Sequence, residues 1–475
     1  MGAETVRGLS SLTAPLSGAS QLCRLGAKAL GTGYRDKTFS PLDVARDTLA
    51  RAEAVQPLFN AFTLIDHDGA SEAALASQER WRRGAPLSAI DGVPVTIKDI
   101  VHVKDCDIFY GSAAMASVRA GKDAPAVARL RAAGAVIIGL TTTPEFGWKA
   151  LTDSSRFGIT RNPHDATKTP GGSSGGAAVA AACGAGVLHL GTDGGGSIRI
   201  PASFTGICGL KPTFGVVPAF PQSAFGTVAH LGPMARTIED CAAMLMAMGG
   251  RDAADWLQPP FGELLPKPQR FVLKGASIGL WDKPPAGPCD ADVMATFTGV
   301  AARLEKAGAK LDTVTLPPED LFELFIRHWY TGAANRLRDV PDERHHLIDP
   351  GFLDIAAQGA RYSAADLMAA ANRRASFGAG MDALLTKHDI IVSPATGIPA
   401  FEAGAEVPSH SGLTRWIEWA GFSYPVNLSQ QPAAVIPCGM TEAGLPIGLQ
   451  IIGPRGADGK ALAAASEISA VLSDP

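Results

Sequence analysis

Two serines and one lysine carry the chemistry that this sequence offers most directly. Ser173 stands in Gly171-Gly172-Ser173-Ser174-Gly175-Gly176, and Ser197 follows Gly194-Gly195-Gly196, both within a glycine-rich stretch from Thr169 to Thr213. The interval between the serines holds one short helix and one short strand, which is enough to turn the chain back and bring two hydroxyls together. Ser197 falls at an expected strand-to-helix turn, where the N–H groups of Gly194, Gly195, Gly196 and Ser197 can converge on a developing oxyanion. This has the logic of a nucleophile elbow without its GxSxG sequence. Glycines ahead of an alanine-rich helix (Ala177 to Ala182) also suggest a phosphate site. The stretch lacks both the lysine of GxxxxGK[ST] and the spacing of GxGxxG, however. A serine nucleophile needs a base, and no Ser-His-Asp pattern is visible. Lysine serves when burial disfavours its ammonium form. Lys98 is a candidate, although spacing alone does not pair it with either serine.

The elements that must position these groups can be read from local patterning. Asp91-Gly92 turns into a strand in which Val93, Val95 and Ile97 share one face and Thr96 and Lys98 the other. On that stretch alone, Lys98 reads as a solvated lysine at a strand end. Asp123-Ala124-Pro125 opens a helix that stops at Gly134, and Val136 to Ile138 follows as a buried strand. Strand, helix and strand at this spacing predict a parallel βαβ unit. The loop after it carries Glu145, Phe146 and Trp148, at the strand end that usually faces a site. Val187 to Leu190 reads as a strand and Ile198 to Phe204 as the start of a helix.

Elsewhere, Ser40-Pro41-Leu42-Asp43 and Ser363 with Asp366 are helix-start signals, as is Thr237 ahead of a helix closed by Gly249-Gly250. Helices are also expected over 290–307, 319–338 and 459–472, and strands over 276–281, 389–393 and 446–452. Residues 251–272 hold several prolines and read as a surface connection. Residues 401–430 have little regular pattern but carry Trp416, Trp419, Phe422 and Tyr424. They read equally as a lid, a pocket wall or packed core.

Composition narrows the classes. The 475 residues are 46% hydrophobic and 19% charged with a net charge of −4, which carries no footprint of nucleic-acid or membrane binding. The N-terminus has no basic segment followed by an apolar run, so a signal peptide is not expected. The seven cysteines are scattered without CxxC spacing, which points to reduced thiols and a cytoplasmic protein. His345-His346 is an adjacent pair without metal-ligand spacing, and neither a metal nor another cofactor is expected.

Taken together, GVPVTIKDI (92–100), TPGGSSGG (169–176), GTDGGGSIRIPASFTGICGLKPT (191–213), HLGPMARTIEDC (230–241) and LPIGLQIIG (445–453) resemble the amidase signature family. The resemblance runs from about residue 40 to 453, nearly the whole chain. It implies an α/β fold, a large mixed β-sheet flanked by helices on both faces. It also implies a Ser-cisSer-Lys triad: Lys98 as neutral base, Ser173 as bridging serine after a cis Gly172–Ser173 bond, and Ser197 as nucleophile. Ser174, Asp193 and Arg199 match supporting positions. Two departures stand out. Gly194 occupies a place where many members carry a larger residue, and Gln430 one where glycine is common. The resemblance organises the chain as an N-terminal helical segment, 1–75, packed on a catalytic domain, 76–475.

The function expected is hydrolysis of the C–N bond of a small apolar or aryl amide, with esters and urethanes (carbamates) as extensions and water as co-substrate. Glu145, Phe146, Trp329, Trp416, Trp419 and Phe422 are the expected pocket residues. A glutaminase component of a tRNA-dependent amidotransferase is the alternative, and a non-catalytic homologue a third. A homodimer is one assembly the sequence allows.

Overall fold

A computed structural model describes residues 14–259, 264–267 and 269–474. The first part of the expected N-terminal segment, and part of the connection over 251–272, therefore lie outside the described residues.

The architecture is one mixed sheet of eleven strands flanked by helices. In chain order the strands are β1 (Phe62–Ile65), β2 (Pro94–Lys98), β3 (Val136–Thr141), β4 (Leu188–Asp193), β5 (Cys208–Lys211) and β6 (His230–Ala235). They continue with β7 (Ser277–Leu280), β8 (Lys310–Thr313), β9 (Ile390–Pro394), β10 (Ala433–Met440) and β11 (Pro446–Ile452). Their order across the sheet is β1-β3-β2-β4-β6-β5-β10-β11-β9-β7-β8. Helices used below are α1 (Pro41–Phe59), α2 (Pro125–Ala132), α3 (Gly175–Cys183), α4 (Arg199–Thr205), α5 (Leu321–Leu337) and α6 (Tyr424–Ser429).

Local chemistry fixes these elements where the sequence signals them. α1 starts on a capping box: Ser40 Oγ accepts the Asp43 N–H at 3.2 Å, and the Asp43 carboxylate accepts the Ser40 N–H at 2.9 Å. The helix starting after Ser363 is closed the same way by Asp366. β2 and β3 pair in parallel across α2, forming the expected βαβ unit, and β2 also pairs in parallel with β4.

The sheet is apolar on both faces, so period-two alternation sends neighbouring residues of a strand to cores on opposite sides. Ile390, Val392, Ala434 and Ile436 join the core that holds Val95 and Ile97. Their neighbours Ile391 and Ala433 join the core that holds the aromatic residues of α5 and α6. β2 is accordingly buried along its whole length. Lys98 is therefore not a solvated strand-end residue, because β3 and β4 flank it and both faces are covered.

The boundary at residue 75 falls within a helix, His67–Arg82, and β1 is an edge strand of the main sheet, antiparallel to β3. The N-terminal segment is thus not purely helical: it contributes to the same sheet. Within residues 401–430, positions 402–415 run along the surface, whereas the part from Trp416 onward is packed core: Trp416, Trp419, Phe422 and Tyr424 are all buried, and α6 closes the segment. Gln430 ends α6 in the left-handed conformation, φ 66°, which is the backbone state that glycine adopts most easily.

Candidate active site

Two turns meet at one end of β2 and β4. The first, Gly171 to Ser174, enters α3 and contains a cis peptide bond between Gly172 and Ser173. The second runs from Asp193, the last residue of β4, through Gly194, Gly195, Gly196 and Ser197 into α4. The Ser174 N–H donates to the Ser197 carbonyl at 3.1 Å, which ties the two turns together. Lys98 ends β2 beside them.

The Lys98 side chain is fully buried. Its Nζ lies 2.6 Å from Ser173 Oγ, 3.0 Å from Ser174 Oγ and 2.9 Å from Thr192 Oγ1. Burial pushes the amine well below the ordinary lysine value, against the opposing pull of the Asp193 carboxylate. A neutral amine has two N–H donors and one lone pair. Ser174 Oγ donates its own hydrogen to the Thr192 carbonyl at 3.1 Å, so it can only accept from Lys98. With Thr192 Oγ1 taking the second N–H, the lone pair faces the Ser173 hydroxyl at the shortest of the three distances. Such an amine can take a proton from Ser173. Thr192 escaped the sequence reading, although it lies within the quoted GTDGGGS motif.

Asp193 and Arg199 form a buried pair beneath the second turn. Nη2 and Nε of Arg199 lie 2.9 and 3.0 Å from the two carboxylate oxygens, and both side chains are fully buried. Burial by itself raises the carboxyl, but the Arg199 charge and hydrogen bonds from Arg199 and Asn427 outweigh it and hold the group well below the usual carboxylate range. Arg199 also donates to the Ser423 carbonyl at 2.9 Å, to Gln450 Oε1 at 2.6 Å and to Asn427 Oδ1 at 2.5 Å. Asn427 and Gln450 come from the distant C-terminal part of the chain, and no local pattern announces them. The Asp193 carboxylate also accepts the N–H of Gly196 at 2.9 Å. Gly196 is therefore committed to Asp193 rather than free to bind an anion. The N–H groups of Gly194, Gly195 and Ser197 have no hydrogen-bond partner among the described residues. Ser197 Oγ likewise makes no hydrogen bond there; the residue lines the same cavity as Ser173 and is 6% exposed.

The amidase family model matches residues 43–462 of the chain. The chain belongs to the amidase signature family. An acylamidase from Rhodococcus erythropolis is 32% identical over 464 residues, covering 94% of this chain and 95% of that one. The glutamyl-tRNA(Gln) amidotransferase component from Anaeromyxobacter sp. (strain K) is also 32% identical over 464 residues, covering 92% and 94%. Among solved structures, a bacterial aryl acylamidase of the amidase signature enzymes superposes with a TM-score of 0.85 at 26% identity, covering 94% of this chain and 96% of that one. The protein is an amide-cleaving hydrolase.

In this amidase signature hydrolase, Phe146, Gly194 and Trp329 line the cavity together with Ser173 and Ser197. Four other expected pocket residues lie behind its wall. Glu145 is buried and bridges loops, accepting from the Ser112 hydroxyl and from the Asp349 N–H, each at 2.6 Å. Trp416 packs behind Gly195, where an added Cβ would lie 2.8 Å from its ring. Trp419 stacks on Phe204 at 6.1 Å, and Phe422 meets Trp281 edge-on at 5.1 Å. Their aromatic faces are used up in core contacts.

Gly194 is explained by Trp329: a Cβ there would lie 2.7 Å from the indole. Trp329 is held in a stack of near-parallel rings, with Phe225 at 4.0 Å on one side and Phe325 at 5.3 Å on the other, followed by Tyr424 4.9 Å from Phe325. The sequence reading missed the segment that walls much of the cavity, which contributes Phe214, Phe220 and Phe225. Their recurrence in FGVVPAFPQSAFG was the available signal. Among the described residues, no group of three or more His, Cys, Asp or Glu is placed to hold a metal ion, and no helix is long and apolar enough to cross a membrane.

Proposed function

We propose that the enzyme hydrolyses small amides carrying an apolar or aryl group, through an acyl-enzyme on Ser197. The observation that carries this reading is the fully buried Lys98 amine, 2.6 Å from Ser173 Oγ, with a cavity beyond that Ser173 and Ser197 both line. In the first step Lys98 takes a proton from Ser173, Ser173 takes one from Ser197, and Ser197 Oγ attacks the substrate carbonyl carbon. Ser197 Oγ makes no hydrogen bond among the described residues and lines the same cavity as Ser173, which leaves its hydroxyl free to turn toward the relay. The N–H groups of Gly194, Gly195 and Ser197 stabilise the oxyanion, while Gly196, held by Asp193, shapes the turn. The relay then returns the proton to the departing amine as the C–N bond breaks. Water, deprotonated through the same relay, cleaves the acyl ester and restores Ser197. Phe146, Phe214, Phe220 and Phe225 on the cavity wall support an apolar or aryl substrate. Esters and carbamates present a carbonyl to the same nucleophile. We also infer that the chain works in the cytoplasm, for which its seven free thiols are the support.

The 32% identity to the amidotransferase component gives a second reading, a glutaminase that feeds a partner. One panel separates the two: p-nitroanilides, aliphatic amides, carbamates and glutamine, with wild type and Ser197→Ala. Turnover of anilides by the chain alone, lost in Ser197→Ala with the melting temperature kept, supports the hydrolase. Ammonia release from glutamine with no anilide turnover supports the glutaminase. A Ser197→Ala protein as active as wild type would falsify the mechanism.

A further inference from the structure

We propose that His102, Tyr110 and Arg336 form a subsite for a carboxylate-bearing arm of the substrate. The idea rests on the amide-hydrolase reading and adds to it a charged substituent away from the scissile bond. Among the described residues that line the cavity, Arg336 is the only lysine or arginine. The wall around it is largely apolar and aromatic, so its charge is the group that distinguishes one end of the cavity from the rest.

Arg336 is held there by a built environment. Its guanidinium lies over the Tyr110 ring at 4.4 Å and over the Phe146 ring at 4.9 Å. Both aromatic residues sit at positive φ, 55° for Tyr110 and 53° for Phe146, which is unusual for side chains of this size. The two are joined by the Phe146 N–H donating to the Tyr110 carbonyl at 2.7 Å. Tyr110 is in turn fixed by its hydroxyl against His102 Nε2 at 2.7 Å.

The guanidinium makes a single hydrogen bond among the described residues. Nη1 donates to Asp339 at 3.0 Å, a carboxylate on the protein surface with its side chain 59% exposed. Nη2 is buried without any hydrogen-bond partner. An orphaned buried donor calls for an explanation, and a guanidinium matches a carboxylate with two parallel hydrogen bonds. The other carboxylate on the wall does not answer it. Asp255 is already engaged by the N–H groups of Ala219 and Leu257 and by the Gln222 amide. His102 does not compete as a cation, since burial and the neighbouring Arg336 charge both favour its neutral form. The subsite is also next to the reacting end. Gly147 follows Phe146, and a Cβ on Gly147 would lie 3.3 Å from Ser173 Oγ.

Binding, read apart from turnover, tests this. The full chain carrying Ser197→Ala is titrated calorimetrically with two matched pairs. 4-Acetamidobenzoate against acetanilide places the carboxylate on the amine side; succinanilate against butyranilide places it on the acyl side. The expected result is that the carboxylate member of one pair binds about tenfold or more tightly than its neutral partner. Adding Arg336→Gln should collapse that ratio toward one, and Arg336→Lys should restore part of it. Equal binding within both pairs overturns the subsite, and so does a ratio that survives Arg336→Gln. The comparison within the Arg336-containing protein decides the matter even if a variant fails to fold. Loss of wild-type anilide turnover would count against the hydrolase reading instead, because these titrations do not depend on it.

Discussion

Lys98 and Lys211 are both fully buried, and burial drives both amines well below the ordinary lysine value. Both also feel the Asp193 carboxylate, but their hydrogen-bond partners differ. Lys98 Nζ touches three hydroxyl oxygens, and two of the residues that carry them, Ser173 and Thr192, line the cavity. Lys211 Nζ donates to the Pro212 carbonyl at 3.0 Å. Near it, the Asp458 carboxylate is engaged by the N–H and hydroxyl of Thr213 rather than by the amine. His230 Nδ1 lies 2.8 Å from the Val228 carbonyl, while its Nε2 has no partner. A depressed lysine is therefore a consequence of burial and not in itself a mark of catalysis. What separates the two is a transferable hydrogen: Lys98 faces a hydroxyl that leads to the cavity, and Lys211 faces a carbonyl.

The comparison breaks most clearly in turnover. Lys98→Met should lower kcat by about a thousandfold, the range expected for loss of a general base, whereas Lys211→Met should leave kcat near wild type. The pH profile sharpens the point. Lys98 acts only when unprotonated, so kcat/KM of wild type should rise with pH as Lys98 gives up its proton, and level off above its depressed pKa. Lys211→Met should keep that rising limb and Lys98→Met should lose it. If Lys211→Met also loses it, the two lysines are not functionally distinct.

How much of this was legible in the sequence depends on whether the signal is local. The capping boxes at Ser40 and Ser363, the βαβ unit through α2 and the turn that carries Ser197 follow from neighbouring residues. β6 and β10 were not read as strands. Each contains a proline, Pro233 or Pro437, which argues against a central strand. Both are tolerated because pairing is incomplete: β10 meets β5 only over Ala433 to Val435, and β6 meets β5 only at Met234 and Ala235. Lys98 shows the same limit at the site. Its strand looked half-exposed in isolation, and its burial depends on β3, β4 and the covering helices. Nothing within a few residues of Arg199 points to Asn427 or Gln450, which reach it only through the sheet order.

Stability should separate the lysines less sharply than turnover does. A lysine that is neutral when folded regains its proton on unfolding at any pH between its depressed folded value and the ordinary 10.5. The unfolded state then binds more protons, so unfolding free energy increases with pH through that window, by up to about 1.4 kcal/mol per pH unit for each such lysine. Lys211→Met removes one of these protons. Urea unfolding at a series of pH values below 10.5 should show a shallower slope for the variant than for wild type. An unchanged slope would mean that Lys211 stays protonated in the fold, with its charge met by Asp193 and Asp458.

The smallest expected effect concerns the turn that Asp193 begins on its way from Lys98's surroundings to the aromatic wall. A Cβ on Gly194 would lie 2.7 Å from Trp329 Cζ3 and 3.0 Å from Cη2. Gly194→Ala should therefore destabilise the fold by about 1–3 kcal/mol, the usual range for overpacking. The indole cannot simply tilt, because Phe225 and Phe325 hold both of its faces. Trp329→Leu leaves room for the added methyl, so the double variant should lose less stability than the two single losses combined, by about 0.5 kcal/mol or more. Denaturant midpoints of the four proteins measure that coupling. The rising pH limb assigned to Lys98 should survive in all four, since Lys98 is bound by Ser173, Ser174 and Thr192 and not by Gly194. Additive losses would show that Trp329 does not set the space at Gly194. A displaced pH limb in Gly194→Ala would show instead that the aromatic wall and the lysine are coupled through the turn.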